Sequence, residues 1–531
     1  MISKSIAVRL AMLAVAVTTR AASTKPSTER ILSYYPCENS TLSPLLLEKL
    51  REPMEALNMK CGNVTVPLDY TAPESDDTIE LELVSVPAAK QPARGTIMFN
   101  FGGPGATARD GLIALAGTLL VVTGGEYNLL AFDPRATGTT IPVSCYENDL
   151  DTLEFLRTAT TAGYSSDTAL GKIWAGAKIH ADACLKNAND TLPYISTAFV
   201  ARDLMSVVDA LDEDGMLRFW GVSYGTTLGI TAAAMFPDKI DKMVLDGVQN
   251  PHHYYHDITE FDQWTNSDRA FSEIFKTCLE NPDQCPLAHR NKNPRHLEKT
   301  IWKLIDALKY RPITIGGILF DHSGIKNMIA GALYDTGRWQ SLTANLELLL
   351  TGKAHTDPSK FGSDALTTVL GAPVSTALTG IRCVDKAYRT HSYDEFEAAS
   401  EELHSISRVY GDLTSPLVAD CARWKVEPKE RYEGDFNVRT KNPVLLTGNR
   451  GDAHTPLISA YNVSATFKGS VVLEVDGFGH GSMALPSKCT MKNMVAYWTK
   501  GKLPAHGTVC EVESRPFSNI TWADVFKGLE S

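Results

Sequence analysis

Leu217-Arg218-Phe219-Trp220-Gly221-Val222-Ser223-Tyr224-Gly225-Thr226-Thr227-Leu228-Gly229 is the stretch on which the reading of this chain turns. The mostly apolar residues 217–222 suit a short buried strand, and the small residues from Ile230 to Phe236 suit a helix that stops at Pro237. Between them, Gly-x-Ser-x-Gly fits a sharp strand-to-helix turn that presents a serine hydroxyl at the top of a sheet. Gly221 and Gly225 match a turn with no room for a Cβ on either side, and Gly229 lets the helix lie close to the strand. The plainer alternative is a serine in a structural turn, so the choice rests on what else the chain supplies.

A serine hydroxyl is a weak nucleophile near neutral pH unless a base takes its proton, and the base needs an acid to hold its tautomer. A serine on such a turn calls for an acid and then a histidine later in the chain. Asp452 lies just past an apolar run at 443–447, in Gly448-Asn449-Arg450-Gly451-Asp452-Ala453-His454-Thr455-Pro456. His480 follows another run, 470–475, in the glycine-flanked Asp476-Gly477-Phe478-Gly479-His480-Gly481. His454 shares the acid's own loop and is badly placed to bridge it to a distant serine. His506 lies beyond a helix expected at 491–497. Asp246, before Gly247, is the alternative acid, and its plainer reading is a turn former. The oxyanion formed on attack needs backbone N–H donors. Tyr224 offers one, and the Gly102-Gly103-Pro104-Gly105 loop offers others. A phosphate cradle fails for that loop because no Gly-Lys-Ser/Thr ending follows.

Apolar runs at 96–99, 127–132 and 242–248 alternate with helical patterns, among them 196–211 with Ser196-Thr197 as a capping pair. Such alternation predicts an α/β fold with a mainly parallel sheet covered on both faces. The stretch 78–86 alternates in period two and reads as a half-exposed antiparallel edge strand. Residues 23–59 read as a mixed leader. From about 250 to 442 the alternation lapses into helical patterns at 271–279, 297–308 and 325–334, an insertion that would lie over the site like a lid. The expected organisation is a signal segment over 1–22, a core over 23–249, a helical cap over 250–442 and the rest of the core over 443–531.

The 531 residues are 44% hydrophobic and 21% charged, as in ordinary globular proteins. A net charge of −11 without a Lys/Arg run speaks against nucleic acid as a partner. Lys4 and Arg9, the apolar run 10–17 and Thr19-Arg20-Ala21 resemble a secretory signal. That run is too short for a membrane anchor, which takes about 20 residues. Sequons at Asn39, Asn63, Asn189, Asn462 and Asn519 suit glycosylation of a secreted, extracellular chain. The ten cysteines lack metal-ligand spacing, and sequential closure would pair Cys37 with Cys61, Cys145 with Cys184, Cys278 with Cys285, Cys383 with Cys421 and Cys489 with Cys510. No metal or cofactor is expected, and the chain is expected to act as a monomer.

Asn100 with Gly102-Gly103-Pro104-Gly105, Asp133-Pro134-Arg135 with Gly138, the serine motif with Thr226, Asp246-Gly247-Val248, Asp452 with Thr455-Pro456, and Gly479-His480 closely resemble the secreted tripeptidyl aminopeptidase-like branch of the α/β-hydrolase fold, related to prolyl aminopeptidases. The segment from Cys489 to Cys510 is similar to that branch's C-terminal, TAP-like part. The resemblance implies Ser223 as nucleophile, Asp452 as orienting acid, His480 as base, and release of short peptides or residues from free N-termini. Ala136 and Phe101 depart from the branch's usual glycine and proline, which bears on substrate preference. An exopeptidase must also bind an ammonium, for which Glu260, Asp262 and Asp385 are candidates. The same machinery could instead cleave an ester or lactone of a small metabolite. A catalytically silent binding protein would have lost a triad member, and all three are present.

Overall fold

The computed structural model describes residues 32–40, 42, 44–362 and 376–530; the signal segment expected over 1–22 lies outside them. Among the described residues, the strands are β1 (Leu32–Tyr35), β2 (Lys60–Pro67), β3 (Thr78–Val86), β4 (Thr96–Asn100), β5 (Asn128–Phe132), β6 (Leu217–Val222), β7 (Ile240–Asp246), β8 (Ile313–Ile315), β9 (Ile318–Phe320), β10 (Leu445–Gly451), β11 (Val471–Phe478) and β12 (Val509–Glu511). Ten of them form one sheet in the order β1-β2-β3-β5-β4-β6-β7-β10-β11-β12, and β8 pairs with β9 in a separate hairpin. Pairing is antiparallel from β1 to β5 and parallel from there to β12.

The continuous apolar runs become the parallel centre because both faces there are covered. Met98, Phe219, Leu245 and Leu446 face one hydrophobic cluster, while Phe99, Trp220, Val244 and Leu445 face another. The chain is an α/β-hydrolase fold, a large mixed sheet flanked by helices. Ser196 caps the helix Thr197–Ala210 by accepting from Phe199 N, as its sequence position predicts.

Two expectations need correction. β3 is antiparallel but interior, flanked by β2 and β5; the edges are β1 and β12. Its alternation reflects unequal cover of its two faces rather than an open edge. The stretch read as a leader contains β1 and the helix Pro44–Ala56, and β1 pairs with β2 along Leu32–Tyr35.

All five disulfides close in the sequential pattern. Cys37–Cys61 ties β2 to the segment just after β1, and Cys489–Cys510 ties β12 to the helix Lys488–Lys500. Between β7 and β10 the described chain is mostly helical, with its own apolar cluster built on Phe271, Phe275, Ile301, Ile325 and Trp339. No described helix is long and apolar enough to cross a membrane.

Candidate functional site

β4, β6, β7, β10 and β11 are neighbours running in one direction, so the turns that leave their carboxyl ends gather at one edge of the sheet. Ser223 follows β6 at once, with φ +58° and ψ −127°, a backbone state that a non-glycine residue occupies only when its surroundings impose it. The surroundings do so here. Ser223 N donates to the Asp246 carbonyl at 3.0 Å, and Thr226 N and Oγ1 donate to Ser223 O at 2.8 and 2.6 Å. A Cβ on Gly221 would fall 2.1 Å from Gly225 O, and one on Gly225 would fall 2.3 Å from Asn100 O. The helix Tyr224–Met235 therefore begins one residue after the serine, earlier than its small-residue pattern indicates.

Asp452 is fully buried and richly hydrogen-bonded. Its Oδ1 accepts from His454 N at 2.8 Å and Thr455 N at 2.9 Å; its Oδ2 accepts from Thr455 Oγ1 at 3.0 Å and Gly481 N at 3.2 Å. His480 Nδ1 lies 3.1 and 3.0 Å from the two carboxylate oxygens. Burial alone would raise the carboxyl pKa, but the charge and hydrogen bond of His480 hold it below its ordinary value. Burial would likewise lower the imidazole, and Asp452 outweighs it, so His480 sits above its ordinary value.

With Nδ1 turned to the acid, Nε2 is on the opposite side of the ring; it is buried and has no hydrogen-bond partner among the described residues. The His480-Gly481 turn lies against the elbow. A Cβ on Gly247 would be 3.4 Å from His480 Cε1, and one on Gly481 would be 3.3 Å from Val222 Cγ1. No hydrogen bond joins Ser223 Oγ to Nε2 in this structure, as is common before substrate tightens a site.

The glycine loop after β4 packs directly on the elbow. A Cβ on Gly102 would lie 2.7 Å from Val222 O, 2.9 Å from Ser223 Cβ and 3.0 Å from Tyr224 N. Its own N–H, however, donates to Asn100 Oδ1 at 3.0 Å. Gly102 is thus corrected from oxyanion donor to spacer: its backbone proton is spent, and its missing side chain leaves the Tyr224 N–H open. Gly103 N–H and Tyr224 N–H make no hydrogen bond to the described residues, and the latter belongs to the unpaired first turn of a helix.

The remaining residues expected here divide sharply. Asp246 is buried beneath the base's loop, where it accepts from Ser482 N at 2.7 Å, Ser482 Oγ at 2.6 Å and Thr447 Oγ1 at 2.6 Å. It braces the site and makes no hydrogen bond to His480. Asp385 and Glu260 are internal, contrary to their reading as ammonium binders. Asp385 accepts from Thr197 N and Oγ1 and from Tyr254 OH; burial first of all pushes its pKa up to about 6. Glu260 pairs with Arg382 at 2.5 Å. Asp262 is half-buried; Oδ2 accepts from Asn250 Nδ2 at 2.9 Å, and Oδ1 makes no hydrogen bond to the described residues, with His253 Nδ1 at 3.7 Å. Arg135 is a brace, locked bidentately onto Asp203, and Phe101 stacks on Phe99.

Four residues escaped the sequence reading. Asn449 Nδ2 donates to the carbonyls of Gly479 and Gly481 at 2.9 and 2.7 Å, clamping the loop around His480. Thr455 Oγ1 lies 3.1 Å from His480 Nδ1 as well as bonding the acid. Tyr334, from the helical segment between β7 and β10, accepts the His480 N–H at its carbonyl, 2.8 Å away. Tyr410, from the same segment, hydrogen-bonds His454 Nε2 and donates to Ala330 O at 2.7 Å. His454 is held well below its ordinary pKa by burial and by His480.

Ligand atoms of Asp452, His454 and His480 approach within 4.8 Å of one another, close enough for a metal. The hydrogen bonds just described use His480 Nδ1, both carboxylate oxygens and His454 Nε2, and leave His454 Nδ1 and His480 Nε2 without partners among the described residues. Cys145 and Cys184 beside His180 are tied to each other in a disulfide and offer no thiolates.

Comparison with known proteins agrees with this geometry. A family model described as alpha/beta hydrolase fold matches residues 97–283, and one described as TAP-like protein matches residues 407–510. The chain is 25% identical over 472 residues to "Tripeptidyl aminopeptidase" of Streptomyces lividans, covering 86% of this chain and 84% of that one. It is 26% identical over 509 residues to "Serine protease Hip1" of Mycobacterium tuberculosis (92% and 93%), and 27% identical over 476 residues to "Carboxylesterase B" of the same species (87% and 88%). With the serine elbow and the late acid and histidine gathered at one sheet edge, these matches support a serine hydrolase of the α/β-hydrolase fold that carries a TAP-like segment over residues 407–510.

Proposed function

We propose that this protein is a secreted exopeptidase that releases short peptides or single residues from free N-termini through a Ser223-His480-Asp452 acyl-enzyme. The observation that carries the reading is the pairing of His480 Nδ1 with buried Asp452 on a loop lying against the Ser223 turn. His480 Nε2 takes the Ser223 proton as Oγ attacks the scissile carbonyl, and Asp452 stabilises the resulting imidazolium. The Tyr224 and Gly103 N–H groups receive the oxyanion. Nε2 then returns the proton to the leaving amine, and water, activated by the same nitrogen, releases the acyl group.

Two of the named relatives are peptidases and span nearly the whole chain, which favours a peptide substrate. Five disulfides and exposed sequon asparagines at 189, 462 and 519 favour an extracellular location. Asn63, in β2, is half-buried. The third relative favours a second reading, hydrolysis of a small ester, since acyl transfer does not dictate the leaving group.

A panel of free-amine peptide amides, N-blocked peptides and simple esters decides between them, with Ser223→Ala as the blank. Turnover confined to free-amine substrates supports the exopeptidase. Turnover of esters alone replaces it with the esterase.

A further inference from the structure

Away from the catalytic edge, a cavity of about 120 Å³ lies among the helices between β7 and β10. Its lining includes Trp302 and Lys309 from the helix Pro294–Tyr310, His322 and Lys326 from the helix His322–Ala332, His404 near the end of the helix Tyr393–Ile406, and Arg408 just beyond it. Lys326 is only 2% exposed, and its ammonium is paired with one oxygen of fully buried Asp412. An ammonium carries three donors, and no second partner for this one exists among the described residues. The other Asp412 oxygen faces His322 Nε2 at 3.2 Å.

The neighbouring charges are spent unevenly. Asp268 accepts from Ser407 Oγ, Arg408 N and Val409 N at 2.7, 3.0 and 3.1 Å. The Arg408 guanidinium lies 3.9 Å over the Trp302 ring, and neither it nor the Lys309 ammonium hydrogen-bonds to the described residues. Among the described residues that line the cavity, the one carboxylate is that of Asp306, which is exposed. The two buried or half-buried acids are used up, while the directional capacity left around the cavity is that of donors.

We propose that this cavity is a binding site for a small oxyanion, a single carboxylate or phosphate group, held by Lys326, Arg408 and Lys309. Its volume of about 120 Å³ has room for such a group. An oxyanion completes the Lys326 donors and gives the guanidinium a bidentate partner while its face stays on Trp302. One element links the site to the catalytic centre: the helix carrying Lys326 supplies the Ala330 carbonyl to Tyr410, and two residues past its end Tyr334 holds the His480 N–H.

The test is thermal unfolding of the full chain at fixed ionic strength, with chloride replaced stepwise by inorganic phosphate or by acetate. A ligand that binds only the folded state raises Tm as ln(1 + [L]/Kd), so the concentration at which the rise sets in reports Kd. The site predicts a rise of this logarithmic form with one or both anions, and an apparent Kd at least tenfold weaker in the Arg408→Gln/Lys309→Gln variant, which leaves the Lys326–Asp412 pair intact. Ser223→Ala should respond as the unsubstituted chain does, which separates this site from the catalytic one. A response to phosphate alone assigns the site to phosphate groups, and to acetate alone to carboxylates. No rise with either anion, or the same rise in the double variant, overturns the proposal and leaves the cavity to water.

Discussion

The backbone N–H of His480 donates to the carbonyl of Tyr334, so the loop bearing the proposed base is pinned by the helical segment inserted between β7 and β10. Asn449 holds the same loop from the sheet side. The imidazole is thus fixed by the core and the insertion together, which accounts for its unpartnered Nε2 being buried without collapsing onto a nearer acceptor.

Because Asp452 raises His480 above the ordinary imidazole value of 6.5, the neutral form needed to accept a proton is lost as pH falls through that raised pKa. The acid limb of kcat/KM is expected above pH 6.5. Asp452→Asn removes the cause of the rise while leaving the burial that opposes it. The limb should move to lower pH and kcat fall by about 10³–10⁴-fold. A pH–rate profile of both proteins checks the direction.

Asp246→Ala should behave differently. It strips the acceptor from two Ser482 donors and from Thr447 Oγ1, all buried, at about 1–3 kcal/mol for each donor left unpaired. Chemical denaturation should show a loss of at least about 2 kcal/mol. The acid limb of the remaining activity should shift little, because Asp246 is the smallest of the influences acting on His480.

Gly102→Ala tests the spacer. Residue 102 has φ +95°, and its new methyl would crowd Ser223 Cβ and Tyr224 N. Loss of access to one oxyanion donor costs about 10²–10³-fold in kcat. A fall of that order with little change in the cooperativity of unfolding is expected; unchanged kcat would remove Tyr224 N–H from the mechanism.

Of the three acids considered for the substrate ammonium, Asp262 is the least buried, and its Oδ1 makes no hydrogen bond to the described residues. Asp262→Asn should raise KM for free-amine peptides about tenfold or more while leaving ester turnover in place, as removing a charge-assisted contact does. Asp385→Asn should leave KM unchanged, since its carboxyl ends a buried chain running from Tyr224 OH through Thr197 Oγ1. Steady-state kinetics on matched amine and ester substrates tests both.

The proposed triad was legible because each member follows an apolar strand run, and the carboxyl ends of parallel strands converge without any need to know the side-chain packing. Disulfide pairing was legible for a similar reason: each partner was the next cysteine along the chain. β1 was not, since Leu32-Ser33-Tyr34-Tyr35 carries no alternation and becomes a strand only by pairing with β2. Tyr334 acts through its carbonyl, which every residue possesses, and Tyr410 through a contact made 44 residues away in sequence. The spent N–H of Gly102 depends on how the Asn100 side chain folds back, a local choice that the glycine pattern does not encode.

The account stands on a reactive hydroxyl at Ser223. Incubation with a fluorophosphonate followed by intact-mass measurement and peptide mapping should give one adduct, on the peptide containing residue 223, absent from Ser223→Ala and formed at least about 10³-fold more slowly in His480→Ala. A folded protein that takes up no label, or takes it up at another residue, would contradict it.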